Sequence, residues 1–481
     1  MTFDAALIKY NVLPCDFDAL QELVGKNYLS DISKELLKTS FNNYPKSLIV
    51  EEDYVDSDFR SLYYYDLAKR FKHYDKNIIR VHFIALPPEL IDITQLSNEN
   101  YLGYLTLRFG HENSIATTYI VPKVINRIGG YCLKAKFKAH LQGKTFDILT
   151  YPWMQQDEDI VRCAHVVLWS VIRYIANKNR GYSNATLGEL IELIQSDRRK
   201  IPSGGLTMDQ IVKVLKANKF SVETFYRNDG DEDDLPTTMY RFIESGIPIL
   251  AICAKYYHAI TIVGHGAINE AREYVEKNNR TGIVDSFELC PKLIVTDDNK
   301  APFSYLPLEY SSPSCPEKPQ INSLKDIDAI VVPLSQRMYL HPPVLQSGVL
   351  QSLEEDDLNR LTGKTLIRRA FLTSSKKFRK IAALSGCFDT THKNLILSLH
   401  FPKFIWIAEY SSPENFDNQL VDYRFIIDST SRASEMDQVL FRQVPGTVFA
   451  KTFGLGKTYQ REVRIEEQPT TSITGNLAYV T

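Results

Sequence analysis

Apolar positions in the first 150 residues recur with two different periods. Between 16 and 39 the run DFDALQELVGKNYLSDISKELLKT spaces its leucines at helical intervals. The runs IIRVHFIAL (78–86), YLGYLTLRF (101–109) and IATTYIVPKVI (115–125) are instead short and rich in β-branched and aromatic residues, which predicts strands. Together they predict an N-terminal α/β accessory domain over 1–150. In the next region, 151–305, helices come first. Ile160 to Ala176 is apolar around most of its circumference, which predicts a buried helix. Asp157, Glu158 and Asp159 stand where a helix N-terminus favours negative charge, so the helix is expected to begin around them. A second helix is predicted from about Leu187, and Thr207-Met208-Asp209-Gln210 reads as a capping box opening a third. IPILAIC (247–253), HAITIVGH (258–265) and KLIVTDD (292–298) then carry the aliphatic, β-branched enrichment of strands. Helices followed by sheet make this region α+β.

Beyond it, the proline-rich stretch SSPSCPEKPQINS (311–323) reads as a linker, within a connecting segment assigned to 306–335. The remainder, 336–481, ends in FIWIAEY, YRFIIDST and GTVFAKTF and is expected to be a strand-rich accessory domain.

Composition narrows the function classes. At 481 residues the chain exceeds what one core usually organises, so several domains are expected. A formal net charge of -2 gives no global field to draw nucleic acid or acidic membranes, and neither is expected as a partner. No stretch reaches the roughly 18 uninterrupted apolar residues of a membrane span. The first fifteen residues lack a basic segment leading into an apolar run. Seven scattered cysteines form no disulfide framework, which fits a reducing compartment. The expected location is the cytoplasm.

Candidate chemistry centres on Cys163, at the front of the apolar helix. A thiol attacks a carbonyl only as thiolate, so it needs a neighbouring imidazole and gains from a helix N-terminus. His258 opens the strand HAITIVGH, from which an imidazole can face a cleft. About forty residues further on, the next apolar strand ends in Asp297-Asp298, where a carboxylate can orient the ring. Strand alternation sets Asp297 and Asp298 on opposite faces, and Asp297, nearest the regular strand, is the expected orienter, with Asp298 as the alternative.

In order and local motif these residues resemble the papain-like cysteine peptidases, and especially their bacterial C39-like branch. The likeness lies in a glutamine before the nucleophile (Gln156 to Cys163), the apolar helix AHVVLWSVIRYIA, Gly246-Ile247-Pro248 leading into a strand, and HAITIVGH itself. It covers 151–305, about a third of the chain. It implies a papain-like core, with Cys163 as nucleophile, His258 as general base and then acid, Asp297 as orienter and Gln156 as oxyanion donor. Gln156 lies seven positions before Cys163 where the family has six, and the segment from Gly266 to Pro291 is long enough to hold a helical insertion around EAREYVEKNNR. A protein or peptide substrate and no metal or cofactor follow from the same likeness. Transfer of the acyl group to an amine, as in transglutaminase-like or deamidating enzymes, uses the same groups, and a peptidase fold that binds peptide without cleaving it is the alternative outside enzymes.

Other motifs carry less. Gly454-Leu455-Gly456-Lys457-Thr458 imitates a phosphate-binding loop but has Lys451 where the upstream glycine belongs. Asp229, Asp231 and Asp233 alternate like calcium ligands without the required glycine and final glutamate. His165 and His265 read as structural, and RRAFLTSSKKFRK (368–380) as a solvated helix face or loop. The sequence has no Cys-x-x-Cys, HExxH or GxSxG.

Overall fold

The computed structural model describes residues 10–480 apart from 126–128, 158, 195–204, 228–233, 310–320, 337, 356–363, 385–387, 432–437, 455–456, 466–468 and 474. The aspartates at 229, 231 and 233, most of the 311–323 linker, Glu158, Cys315 and Cys387 therefore lie outside the described residues.

Alternating apolar runs build the first sheet from β1 (Tyr10–Pro14), β2 (Ser47–Tyr54), β3 (Ile78–Ile84), β4 (Tyr101–Leu107) and β5 (Ile115–Ile120). They pair in sequence order and are antiparallel throughout. Neighbours of this kind need no crossover, so the region is α+β and not the α/β arrangement expected. Helices α1 (Phe17–Val24), α2 (Asp31–Ser40) and α3 (Ser57–Tyr65) begin at Asp16, Ser30 and Asp56, whose side-chain oxygens accept from first-turn N–H groups.

After β6 (Gly130–Cys132) and the hairpin β7 (Ala135–Leu141) to β8 (Lys144–Thr150) come α4 (Cys163–Lys178), α5 (Leu187–Ile194) and α6 (Met208–Ala217). The predicted capping box is present: Gln210 N–H donates to Thr207 Oγ1 at 3.3 Å and Thr207 N–H to Gln210 Oε1 at 2.9 Å. Then follow β9 (Ser221–Tyr226), α7 (Asp234–Glu244), β10 (Ile249–Cys253), β11 (His258–Gly266), α8 (Ala271–Lys277), β12 (Ile283–Asp285), β13 (Lys292–Thr296), β14 (Ser304–Pro307) and β15 (Ala329–Leu334). The central sheet runs β14-β13-β11-β10-β15-β9, antiparallel. One face, including Leu250, Ala259 and Val331, shares a core with Leu168, Trp169 and Val171 of α4.

This sheet reaches past 151–305. β15, from the segment read as a connector, lies between β10 and β9. β6, from the first region, pairs with the far half of β11. There the backbones approach so closely that a Cβ on Gly264 or Gly130 would overlap the carbonyl oxygen of Tyr131 or His265, respectively, which explains the glycine in HAITIVGH. The first region is tied in again at α3. Asp58, buried, accepts from Trp169 Nε1 at 3.0 Å, Arg173 Nη2 at 2.9 Å and the N–H of Leu187 at 3.3 Å. Asp58→Ala strands a buried guanidinium and an indole N–H, and should lower unfolding stability by roughly 3 kcal/mol in urea titration. An unchanged midpoint would show that the N-terminal region does not brace α4.

The last region forms a seven-stranded sheet. β12 pairs in parallel with β16 (Leu366–Ser374), followed in spatial order by β17 (Phe404–Ser411), β19 (Tyr423–Asp428), β20 (Val439–Val444), β21 (Thr447–Gly454) and β22 (Lys457–Arg464). β18 (Leu420–Val421) pairs with β23 (Thr470–Thr471), and β24 (Ala478–Tyr479) pairs with β6. Among the described residues strands make up most of the regular structure of 336–481, and β12 and β24 tie it to the preceding regions. The long segment after Gly266 does carry a helix, α8, and it delivers β12 to this sheet. Gly454 ends β21 and pairs with Lys457, which begins strand β22 and not a helix.

The solvated reading of 368–380 fits only its end, where a helix from Ser375 to Leu384 exposes Lys376 and Lys380, and Arg368 and Arg369 overturn it at the start. Both sit in β16, with Arg368 on Asp285 (2.9 Å) and Glu354 (2.6 Å) and Arg369 on Glu244 (2.7 Å). Glu244 also receives His265 Nε2 at 2.8 Å, while His265 Nδ1 lies 2.8 Å from the carbonyl of Gly266. Two acceptors require two N–H groups, so His265 is an imidazolium. Burial opposes that charge, but hydrogen bonding to Cys290 and Glu244 outweighs it and raises the group to about 10. Among the described residues no helix is long and apolar enough to cross a membrane.

Candidate active site

The loop before α4 is shaped by Asp157. Its Oδ1 accepts from the N–H groups of Asp159 (3.0 Å), Ile160 (2.8 Å) and Val161 (2.8 Å), while Asp159 pairs with Arg70 at 3.1 Å. These acids are occupied in turning the chain, and the helix starts at Cys163 with Arg162 as its N-cap, later than expected. Buried His165 closes the cap: its Nδ1 accepts from the N–H of Arg162 at 3.1 Å, and burial lowers its affinity for a proton, to about 4. His165 is thus neutral and structural. Cys163 occupies the first helical position, where a backbone N–H has no intrahelical partner and the dipole favours an anion.

Opposite it, β10 returns through Ala254–Tyr257 into β11, with Cys253 opposite His258. Tyr257 has φ 49°, the left-handed region that a non-glycine residue adopts at a cost of about 1 kcal/mol. This turn brings the Tyr257 carbonyl to 4.0 Å from Cys163 Sγ and leaves Tyr257 as a whole 94% exposed. His258 follows immediately, its side chain 10% exposed.

β13 runs antiparallel to β11, with Thr296 opposite Thr261, so the chain beyond Thr296 returns beside the start of β11. There Asp297 Oδ1 lies 2.9 Å from His258 Nε2. The carboxylate is held by the N–H of Asn299 at 3.0 Å, and its backbone carbonyl accepts from Trp153 Nε1 at 2.8 Å. With Nε2 on Asp297, Nδ1 is the nitrogen left for sulfur. Burial disfavours charge on the imidazole, yet hydrogen bonds to Asp297 and Cys163 and the charges of both aspartates raise His258 to about 11. Burial alone would raise Asp297, but the imidazole bond and charge hold it below the ordinary carboxylate value.

Asp298 departs from the expectation of opposite faces. β13 ends at Thr296, so strand alternation no longer governs 297 and 298, and Asp298 Oδ1 also lies 3.6 Å from His258 Nε2. It lies in the turn that follows β13, as expected, but is 3% exposed and not solvated. Gln156 is placed near the same loop, its Nε2 donating to Asn299 Oδ1 at 3.3 Å. The neighbouring Gln155 is committed elsewhere, accepting from Ser33 Oγ and the N–H of Ile115. Asn299, Trp153 and the Tyr257 carbonyl were not anticipated. Only Asn299 had a signal, since Asp-Asp-Asn after a strand favours a turn in which the first side chain caps the third N–H.

His258, Asp297 and Asp298 are also the group among the described residues whose ligand atoms lie close enough, within 4.8 Å of one another, to hold a metal ion. The 2.9 Å between Nε2 and Oδ1 is a hydrogen-bond distance, which places a proton between them. Compared with known family models, curated proteins and solved structures, the chain matches none, so the chemistry of this site is read from its geometry alone.

Proposed function

We propose that this protein is a cysteine peptidase or closely related thiol hydrolase of papain-like type, acting on peptide or isopeptide bonds. The observation that carries the reading is convergence: residues 163, 258 and 297, from a helix start, a strand start and a strand end, form one cluster of thiol, imidazole and carboxylate. In the proposed reaction His258 takes the thiol proton and the thiolate adds to the substrate carbonyl carbon. The oxyanion is met by the N–H of Cys163 and, once it leaves Asn299, by the amide of Gln156. The imidazolium protonates the departing amine, leaving a thioester. His258 then deprotonates water, which attacks the thioester and releases the acid and the thiol.

A limited dose of iodoacetamide on the full chain tests the nucleophile. Cys163 is expected to be alkylated first. Burial pushes Cys15 up to about 11 and Cys132 up to about 12, and raises Cys253 as well, so these thiols are poor competitors. Peptide mass mapping that found Cys163 labelled no faster than the others would remove the basis of the proposal.

A further inference from the structure

Among the described residues, the carboxyl group of Asp298 has both side-chain oxygens buried without a hydrogen-bond partner. Yet they lie beside Asp297 and the catalytic-site imidazole. A buried carboxylate without donors is among the costliest arrangements a protein can hold, and two adjacent carboxylates raise the cost further. A proton on Asp298 relieves both costs at once: it neutralises the second charge and supplies an O–H that can point only toward a local acceptor. Asp297 is that acceptor. Its Oδ1 already serves His258 and the N–H of Asn299, which leaves Oδ2, 4.0 Å from Lys300 Nζ, as the weakly satisfied oxygen.

Resting on the peptidase reading above, we propose that Asp298 is a positioning residue which remains a neutral carboxylic acid and donates its proton to Asp297, fixing the orienting carboxylate on His258 from behind. The titratable and charged groups around it are His258 from β11, Asp297 and Lys300 from its own loop, and Cys163 from α4 beyond the imidazole. Trp153 and Gln156, from the segment before α4, bring no charge. Burial is the largest influence on Asp298 and raises it. The imidazolium pulls it down, but the charge and hydrogen bond of Asp297 raise it again, to about 8.

The sign of the linkage follows. Asp298 starts from 3.8 in an open chain, so above that pH the folded protein keeps a proton that the unfolded chain releases, and stability falls as pH rises through about 8. Asp298→Asn keeps a donor without a titrating proton. Its melting temperature should therefore gain on the wild type progressively over that interval and then run parallel.

The deciding experiment is infrared spectroscopy of the full-length protein with ¹³C-labelled aspartate, recorded through neutral and alkaline pH. A buried carboxylic-acid carbonyl band lost on alkalinisation and absent from Asp298→Asn is expected at neutral pH; Asp56, which burial and the charge of Asp58 raise to about 7, gives a band that persists in that variant. Iodoacetamide alkylation of Cys163 gives the second readout: Asp298→Ala should slow it about 10-fold at neutral pH, as loss of an outer partner of a histidine does, and Asp298→Asn should recover most of that loss. If the band is missing while Cys163 is still labelled first, the inference about Asp298 fails and the thiol reading stands. If Cys163 is not labelled first, the thiol reading fails whatever the band shows. A missing band together with one equivalent of zinc bound, abolished by Asp298→Asn, would overturn the proton in favour of a metal.

Discussion

Cys163→Ala is expected to abolish hydrolysis, a loss of roughly 10⁴-fold or more, because truncating a nucleophile removes a covalent pathway that no neighbouring group can replace. The same substitution removes one sulfur atom from a helix start and should cost only about 1 kcal/mol of packing. Activity and fold therefore separate cleanly in this variant. Digestion of a mixed peptide library followed by mass spectrometry measures the first, and circular dichroism with urea titration the second. Turnover equal to that of the wild type would show that the peptide chemistry, if present, lies elsewhere. Cys163→Ser should behave alike, since a hydroxyl is a far weaker acid and nucleophile than the thiol it replaces.

The second large effect concerns the boundaries of the folded unit that carries the site. A fragment of residues 151–305 should be recovered insoluble. It lacks β15, whose Ile330, Val331 and Val332 are fully buried between β10 and β9. Burying three such side chains is worth about 2 kcal/mol each. The fragment also loses Phe59 and Leu62 of α3, which share the core of α4, and the Asp58 anchor of Trp169 and Arg173. Together these are comparable with the roughly 5–15 kcal/mol that holds a typical domain folded. Soluble yield and gel filtration measure the outcome. A monodisperse fragment whose Cys163 still reacts first with iodoacetamide would show that the flanks are accessory.

What the sequence made legible is physical in origin. HAITIVGH and KLIVTDD announce themselves because aliphatic, β-branched runs have few alternatives to a strand, and the apolar circumference of α4 leaves it nowhere to go but the interior. The pairing of Asp297 with His258 was readable from that order. Asp298 was misplaced because alternation was carried two residues past the end of β13. β6 escaped notice since three residues have no period to detect. β15 was hidden in a connector, its AIVVPL carrying a proline and following a proline-rich stretch. Arg368 and Arg369 looked solvated for a deeper reason: their partners Asp285, Glu354, Glu244 and Glu409 lie far away in sequence, and charge pairing at long range leaves no local pattern.

The position of β15 also bears on how the site is assembled as the chain is made. Chains are made from the N-terminus, so Cys163, His258 and the two aspartates are all synthesised before residues 329–334. Until then β10 has β11 on one side and nothing on the other, and β9 has no neighbour at all. The strand that braces the histidine turn is supplied last among the six of the main sheet. A nascent chain thus carries every reactive group of the site without the frame that aligns them, and the thiol is brought under the control of its imidazole only when the connector folds back into the sheet.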